Sequence, residues 1–302
     1  MKSSFKKVTG SQIVVEVTLE QEEFLPYYKS AYDKALASVQ VKGFRPGAAP
    51  KEMADQGVDK EAVFNQSAQA AIRWSLDEIS KDKEWTLIDA PKVEVEEAKL
   101  GIKYKATLTV FPEIKLGNYK KIANKVVSEK KEVSVEAGEL EKTLEWLRQS
   151  RKEGEKVPEL NDEFAKTVGK FQTLEELKKN VNEGILMEKQ FKERDRLRLK
   201  MLEEIIKASE IDLPLIMVEK TEASMAKQLA AMLKASGKTD EQIHKELHER
   251  AGHNVMSNLI IYKIAQDEKL EPTPEEVGEE GDYNYNYGVL LNEKVYAFLE
   301  KQ

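Results

Sequence analysis

Val41-Lys42-Gly43-Phe44-Arg45-Pro46-Gly47-Ala48-Ala49-Pro50 decides how the rest of the chain is read. These ten residues lie between two segments of helical period and can extend neither. Pro46 fixes φ near −65° and Gly47 tolerates φ > 0, so Arg45-Pro46-Gly47-Ala48 predicts a type II turn. Pro50 stiffens the exit. The tip displays an aromatic ring, Phe44, and a guanidinium, Arg45, with Lys42 and Lys51 on the flanks. A rigid exposed loop with one apolar anchor and a few cations suits docking on an RNA-rich surface; the competing reading is an ordinary surface connection.

Outward from the loop, the pattern is regular. Upstream, 12–18 alternates as a strand with Ile13, Val15 and Val17 on one face. The stretch 20–39 reads as a helix with Phe24, Tyr28, Tyr32 and Leu36 four apart. Downstream, 59–80 is a second helix expected to bury Val63, Phe64, Ala71, Ile72, Leu76 and Ile79. Strands are expected at about 85–97 and 101–111, the second alternating Ile102, Tyr104, Ala106, Leu108 and Val110 against lysines and threonines. This β-α-loop-α-β-β order predicts a small α+β domain with helices packed on a sheet.

The loop resembles the signature of the trigger factor family, bacterial chaperones that dock at the ribosomal tunnel exit. The family pattern is Gly-Phe-Arg-x-Gly-x-x-Pro, and Gly43, Phe44, Arg45, Gly47 and Pro50 match it. Pro46 and Ala48 stand where lysines are common. The first 115 residues are similar to the family's ribosome-binding domain, and Pro112-Glu113-Ile114-Lys115-Leu116-Gly117-Asn118-Tyr119 is similar to the passage that leaves it. The resemblance implies ribosome contacts from Lys42, Gly43, Phe44, Arg45, Pro46, Gly47, Pro50 and Lys51.

Composition bounds the rest. At 302 residues there is room for two domains. The net charge of −7 argues against a general nucleic-acid binder. Residues 1–115 hold 17 Lys/Arg against 18 Asp/Glu, while 116–302 hold 31 against 37, so any RNA contact is expected to be local and N-terminal. The chain has no cysteine, hence no disulfide and no thiolate chemistry. Lys2, Lys6 and Lys7 precede only a short apolar run broken by Glu16, which is no secretory signal, and nothing approaches the roughly 20 apolar residues of a membrane helix. The cytoplasm follows as the expected address.

Beyond the first domain, 116–133 reads as an extended, charged linker, and Ser134 is expected to cap a helix to about Gln149. Most trigger factors insert an FKBP-type peptidyl-prolyl isomerase domain after this helix. Here Val157-Pro158-Glu159-Leu160-Asn161-Asp162-Glu163-Phe164 already resembles the family's return segment. Only Lys152-Glu153-Gly154-Glu155-Lys156-Val157 lies between, too few residues for a domain. The resemblance is therefore to a form without the isomerase, with no catalytic residues and no cofactor. The remaining residues, 134–302, read as an elongated helical domain. Its expected elements are an amphipathic helix capped by Thr173 and running to Ser209, a helix after Pro214, one from Asp240, another over about 253–268, and a short last helix over 292–302 behind a turn-like cluster at 282–287.

Two constellations carry candidate chemistry. Val218, Thr221, Met225, Leu229 and Met232 recur at helical spacing, and with Met217 they could line a surface that accepts many partners; ordinary helix packing is the competing reading. His244 and His248 are four apart, a zinc-compatible spacing, with His253 nearby, but Lys245 stands where the zinc-protease pattern needs Glu, and a charged exposed helix face explains the cluster. No phosphate loop, nucleophile elbow or Cys/His dyad occurs. The expected function is an ATP-independent chaperone that docks on protein and RNA of the large ribosomal subunit, shields unfolded nascent polypeptides, and forms a homodimer when free. The alternatives are an assembly partner for one folded protein and a metal-dependent role at His244, His248 and His253.

Overall fold

In a computed structural model, the chain begins with two antiparallel strands joined by a tight hairpin: β1 (Lys2–Val8) and β2 (Gln12–Leu19). All residues are described except 46–47, 98–100, 153–155, 236 and 238, and the side chains at 97, 137 and 230–235. After α1 (Gln21–Ser38), α2 (Lys51–Gln56) and α3 (Lys60–Asp82), strands β3 (Lys92–Glu97) and β4 (Ile102–Thr109) complete an antiparallel sheet of order β1-β2-β4-β3. Period-two alternation puts Ile13, Val15, Val17 and Leu19 of β2 and Ile102, Tyr104, Ala106 and Leu108 of β4 on one buried face. α1 and α3 cover that face, with Ala68, Ala71, Leu76 and Ile79 as the buried stripe of α3. Phe64 and Ile72, expected in that stripe, are only partly buried at its edge. Three buried hydroxyls of this core are partnered: that of Ser67 donates to the Val63 carbonyl at 2.6 Å, and those of Tyr104 and Ser75 lie 2.6 Å apart. Burial pushes the Tyr104 phenol up to about 12 although that hydrogen bond opposes it.

The chain forms two compact units, Met1–Ile114 with Ile211–Met256, and Lys115–Glu210 with Ser257–Gln302. This corrects the boundary expected from sequence, which gave all of 134–302 to one domain. α8 (Leu215–Ala235) and the first part of α9 (Asp240–Glu268) group with the sheet unit. The physical tie is specific. Asp212 accepts the N–H groups of Gly10 and Ser11 at 2.7 Å each, at a hairpin whose Gly10 and Ser11 both have φ > 0. Lys220 also donates to Asp89 at 3.1 Å.

The second unit is helical: α4 (Tyr119–Val127), α5 (Ala137–Ser150), α6 (Asp162–Val168), α7 (Leu174–Lys207), the end of α9, α10 (Pro274–Val277) and α11 (Tyr283–Leu299). α4, α5 and α6 all pack on α7. Leu144, Phe164, Ala165 and Leu177 form one apolar cluster there. Short strands β5 (Ile114–Lys115) and β6 (Glu210–Ile211) mark the chain positions where the units change.

Four further expectations need correction. The stretch 116–133 is not an extended linker throughout, because Asn118 caps α4 by accepting from Lys121 N–H, and Ala123 and Val126 are buried. Glu136 with Glu139, and not Ser134, forms the capping box of α5. α9 is one helix of 29 residues; Gly252 does not break it, and Leu247, Ala251 and Val255 keep a buried stripe through that point. The tyrosines at 283–287 are not a turn, because Asp282 accepts from Asn284 and Tyr285 N–H and starts α11 there. β1 and α2 were not foreseen, and the strand expected from 85 begins at Lys92.

Candidate functional site

The loop between α1 and α2 is built from two short main-chain closures. Phe44 N–H donates to the Val41 carbonyl at 3.0 Å, and Ala48 N–H donates to the Arg45 carbonyl at 2.9 Å. Gly43 has φ +91°, the left-handed geometry demanded at the third position of a type II turn. A Cβ there would touch nothing, so the need for glycine is one of backbone conformation alone. The second closure spans the Arg45–Ala48 turn expected from sequence. Its central residues, Pro46 and Gly47, lie outside the described residues.

The base of the loop is pinned. Pro50 starts α2, with Met53 and Ala54 N–H both donating to its carbonyl at 3.0 Å. A Cβ on Gly57 would stand 2.9 Å from Val39 Cγ2, so glycine permits the close return of the chain. Tyr32 donates its hydroxyl to Asp55. Ala31, Val58 and Val63 form a small apolar cluster beneath, against Tyr28, Tyr32, Ala35 and Leu36.

On this base the candidate side chains stand exposed. Phe44 is 43% exposed. Lys42, Arg45, Pro50 and Lys51 are exposed as well, and none of the three cations pairs with a described acidic residue. Residues 42–51 contain three cations and no acid. Chemically, the site can stack one ring and place three positive charges on an anionic surface without first breaking an internal ion pair.

The other sequence candidates lie on α8 and α9. Met217, Met225 and Leu229 are partly buried and Val218 is fully buried; the Met232 side chain lies outside the described residues. His244 and His248 share one partner that sequence reasoning missed, Glu222 of α8. His248 Nδ1 lies 2.9 Å from Glu222 Oε2, and His244 Nδ1 meets the other oxygen. Burial raises the Glu222 carboxyl, but the hydrogen bonds from His248 and His244 prevail and hold it below its usual range. The i, i+4 spacing thus braces α9 to α8. Among the described residues, no group of three or more His, Asp or Glu is arranged to hold a metal ion, so the metal-dependent alternative gains no support. Among them, too, no helix is long and apolar enough to cross a membrane.

Comparison with known proteins agrees with this arrangement. Residues 1–147 match the family model described as bacterial trigger factor protein, and residues 173–302 match the model of the trigger factor C-terminus. The trigger factor of Caldicellulosiruptor saccharolyticus is 23% identical, covering 93% of this chain and 87% of that one. That of Caldanaerobacter subterraneus subsp. tengcongensis is 24% identical, covering 100% and 94%. A solved structure described as "Promiscuous Substrate Recognition in Folding and Assembly Activities of the Trigger Factor Chaperone" superposes with a TM-score of 0.60 at 17% identity, covering 100% of both chains, a likeness of fold. With the two family models spanning all but residues 148–172, the chain belongs to the trigger factor family.

Proposed function

We propose that this chain is an ATP-independent chaperone that docks at the tunnel exit of the large ribosomal subunit and shields emerging polypeptides. One observation carries the docking half: Phe44 and Arg45 stand exposed on main-chain closures whose base is packed, so the contact surface is preorganised. Lys42 and Lys51 add charge on either side. The holding half rests on family membership and on exposed apolar side chains such as Trp146, Met187 and Leu199 in the helical unit and the partly exposed Met217, Met225 and Leu229 on α8. Off the ribosome, a second copy would cover such surfaces, which is the basis for expecting a homodimer.

The chain acts without the isomerase head in this reading. An alignment over 384 residues that uses 93% of a 302-residue chain leaves roughly 100 positions of the relative without a counterpart, the size of one domain. α5 ends at Ser150 and α6 begins at Asp162, leaving a short connection in which residues 153–155 lie outside the described residues. The cytoplasm is the address that this function requires.

The test is co-sedimentation. The wild-type chain should pellet with translating ribosomes from a lysate, less so as salt rises, and Phe44→Ala/Arg45→Ala should stay in the supernatant with an unchanged circular dichroism spectrum. Equal pelleting of the double variant would remove the loop from the docking site.

A further inference from the structure

Between α4 and α5, the segment 128–134 lies along α7 and closes one side of a cavity of about 1080 Å³. Its two ends are tied. At one end, Lys131 N–H donates to Glu193 at 2.8 Å, Arg196 reaches the Glu129 carbonyl at 3.3 Å, and Lys200 pairs with the Glu129 carboxylate. At the other, Lys189 donates to the Ser134 carbonyl at 2.9 Å. Glu193 and Lys189 are one helical turn apart, so the segment runs antiparallel to α7. Between the ties, residues 131–134 continue without turn or bend, and the main-chain N–H and C=O groups of Glu132 and Val133 make no hydrogen bond with described residues.

The cavity beside them has an apolar floor of buried Leu197 and Met201, with Val133 partly buried and Phe191 46% exposed at its wall. Its charges are unbalanced. Glu193 is committed to Arg196 and Glu300 to Arg198, whereas Lys130 and Lys131 make no side-chain ion pair with a described residue. Arg194 stands over Phe191, its guanidinium carbon 4.9 Å from the ring centroid, and makes only a long ion pair with Asp195 at 3.7 Å. Glu132 is then the one uncommitted acid facing three cations.

We propose that this groove receives an extended polypeptide segment in which apolar residues alternate with carboxylates. Open main-chain groups at Glu132 and Val133, within the turn-free stretch 131–134, call for another main chain, as in strand addition. The apolar floor takes the alternate side chains that point inward, and the lysines and Arg194 attract the acidic ones that point out. Fixing both ends beforehand lowers the ordering cost of binding. The groove thereby gives the shielding activity a client class, acidic–apolar unfolded segments, and it rests on the chaperone reading.

The experiment is fluorescence anisotropy on the full chain with labelled eight-residue peptides: alternating Glu-Leu, alternating Lys-Leu, and Glu-Leu carrying N-methyl groups at alternate residues. The wild type should bind Glu-Leu about tenfold more tightly than either of the others. Lys130→Glu/Lys131→Glu, both exposed and with an unchanged melting curve, should reverse the preference between the charged peptides; Phe191→Ala should weaken both. Equal affinity of the wild type for the acidic and basic peptides, or an unreversed ranking in the lysine variant, overturns the proposal. Full affinity for the N-methylated peptide overturns the main-chain pairing on which it stands. Aggregation suppression and ribosome pelleting, run alongside, separate the two readings. If both persist without the peptide preference, the groove alone falls. If the preference is found without either of them, the groove stands and the chaperone reading falls.

Discussion

The loop at 41–50 and the segment at 128–134 both lie outside helices and strands, but they are held by opposite means. The loop uses main-chain hydrogen bonds, Phe44 to Val41 and Ala48 to Arg45, and leaves its side chains free. The segment is held largely by side chains, from Glu193, Arg196, Lys200 and Lys189, and leaves main-chain groups free. A connection closed through its backbone can recognise one surface by the identity of its side chains. A connection fastened through side chains can offer backbone to many sequences. In the proposed readings the first is a selective contact made through side chains and the second a tolerant one that pairs with main chain, the division that docking and client holding require.

The largest expected effect lies on the selective side. Phe44→Ala or Arg45→Ala should each weaken ribosome binding about thirtyfold, on the order of 2 kcal/mol, with fold and peptide binding intact. A loss of peptide binding in these variants would collapse the distinction. Gly43→Ala comes next. The Cβ meets nothing, so only the left-handed backbone is penalised, at about 1 kcal/mol, and ribosome affinity should fall roughly fivefold in the pelleting assay.

On the tolerant side, Glu193→Gln should speed amide exchange at Lys131 and leave Phe44 and Ala48 unchanged. Acid should act on the same tie. Arg196 and the Lys131 N–H hold the Glu193 carboxyl down at about 2, below its ordinary value of 4.5. A lowered carboxyl contributes stability above the unfolded value, and that contribution is lost as pH falls through the folded one. The protection factor at Lys131, its exchange corrected for the intrinsic pH dependence of amide exchange, should therefore fall between about pH 4.5 and 2, while the loop closures, which contain no carboxylate, show no such step. The smallest effect expected is none: the chain should not accelerate cis/trans exchange in a proline peptide, because the connection around 152–157 cannot form a closed pocket around an X–Pro bond. A rate well above buffer would reveal a pocket elsewhere.

Much of the loop and its sheet was legible because both are local. Alternation in β2 and β4 has period two, and the Pro/Gly punctuation at 46–50 excludes helix. β1 escaped notice because all seven of its residues are exposed, which removes the one-sided pattern. α11 was shortened because Tyr, Asn and Gly288 are weak helix formers; Asp282 and packing of Leu291, Val295 and Leu299 outweigh them. The groove was hidden for a different reason. Lys192 to Arg198 looks like a solvated charge run, and nothing local says that Glu193 turns inward to a backbone 62 residues earlier. The same holds for Glu222, whose two histidines lie on the next helix.

The capture of the β1–β2 hairpin by Asp212 has a consequence for how the molecule is made. The bond joins residues 202 apart, yet the four-stranded sheet is covalently complete once Thr109 has been added. At about 5–20 residues per second, Asp212 follows Thr109 by roughly 5–20 s during synthesis. The sheet must therefore hold its register over that interval with Gly10 and Ser11 N–H groups bonded to water. During its own translation, this chaperone is a nascent chain whose first unit waits for its second half to emerge.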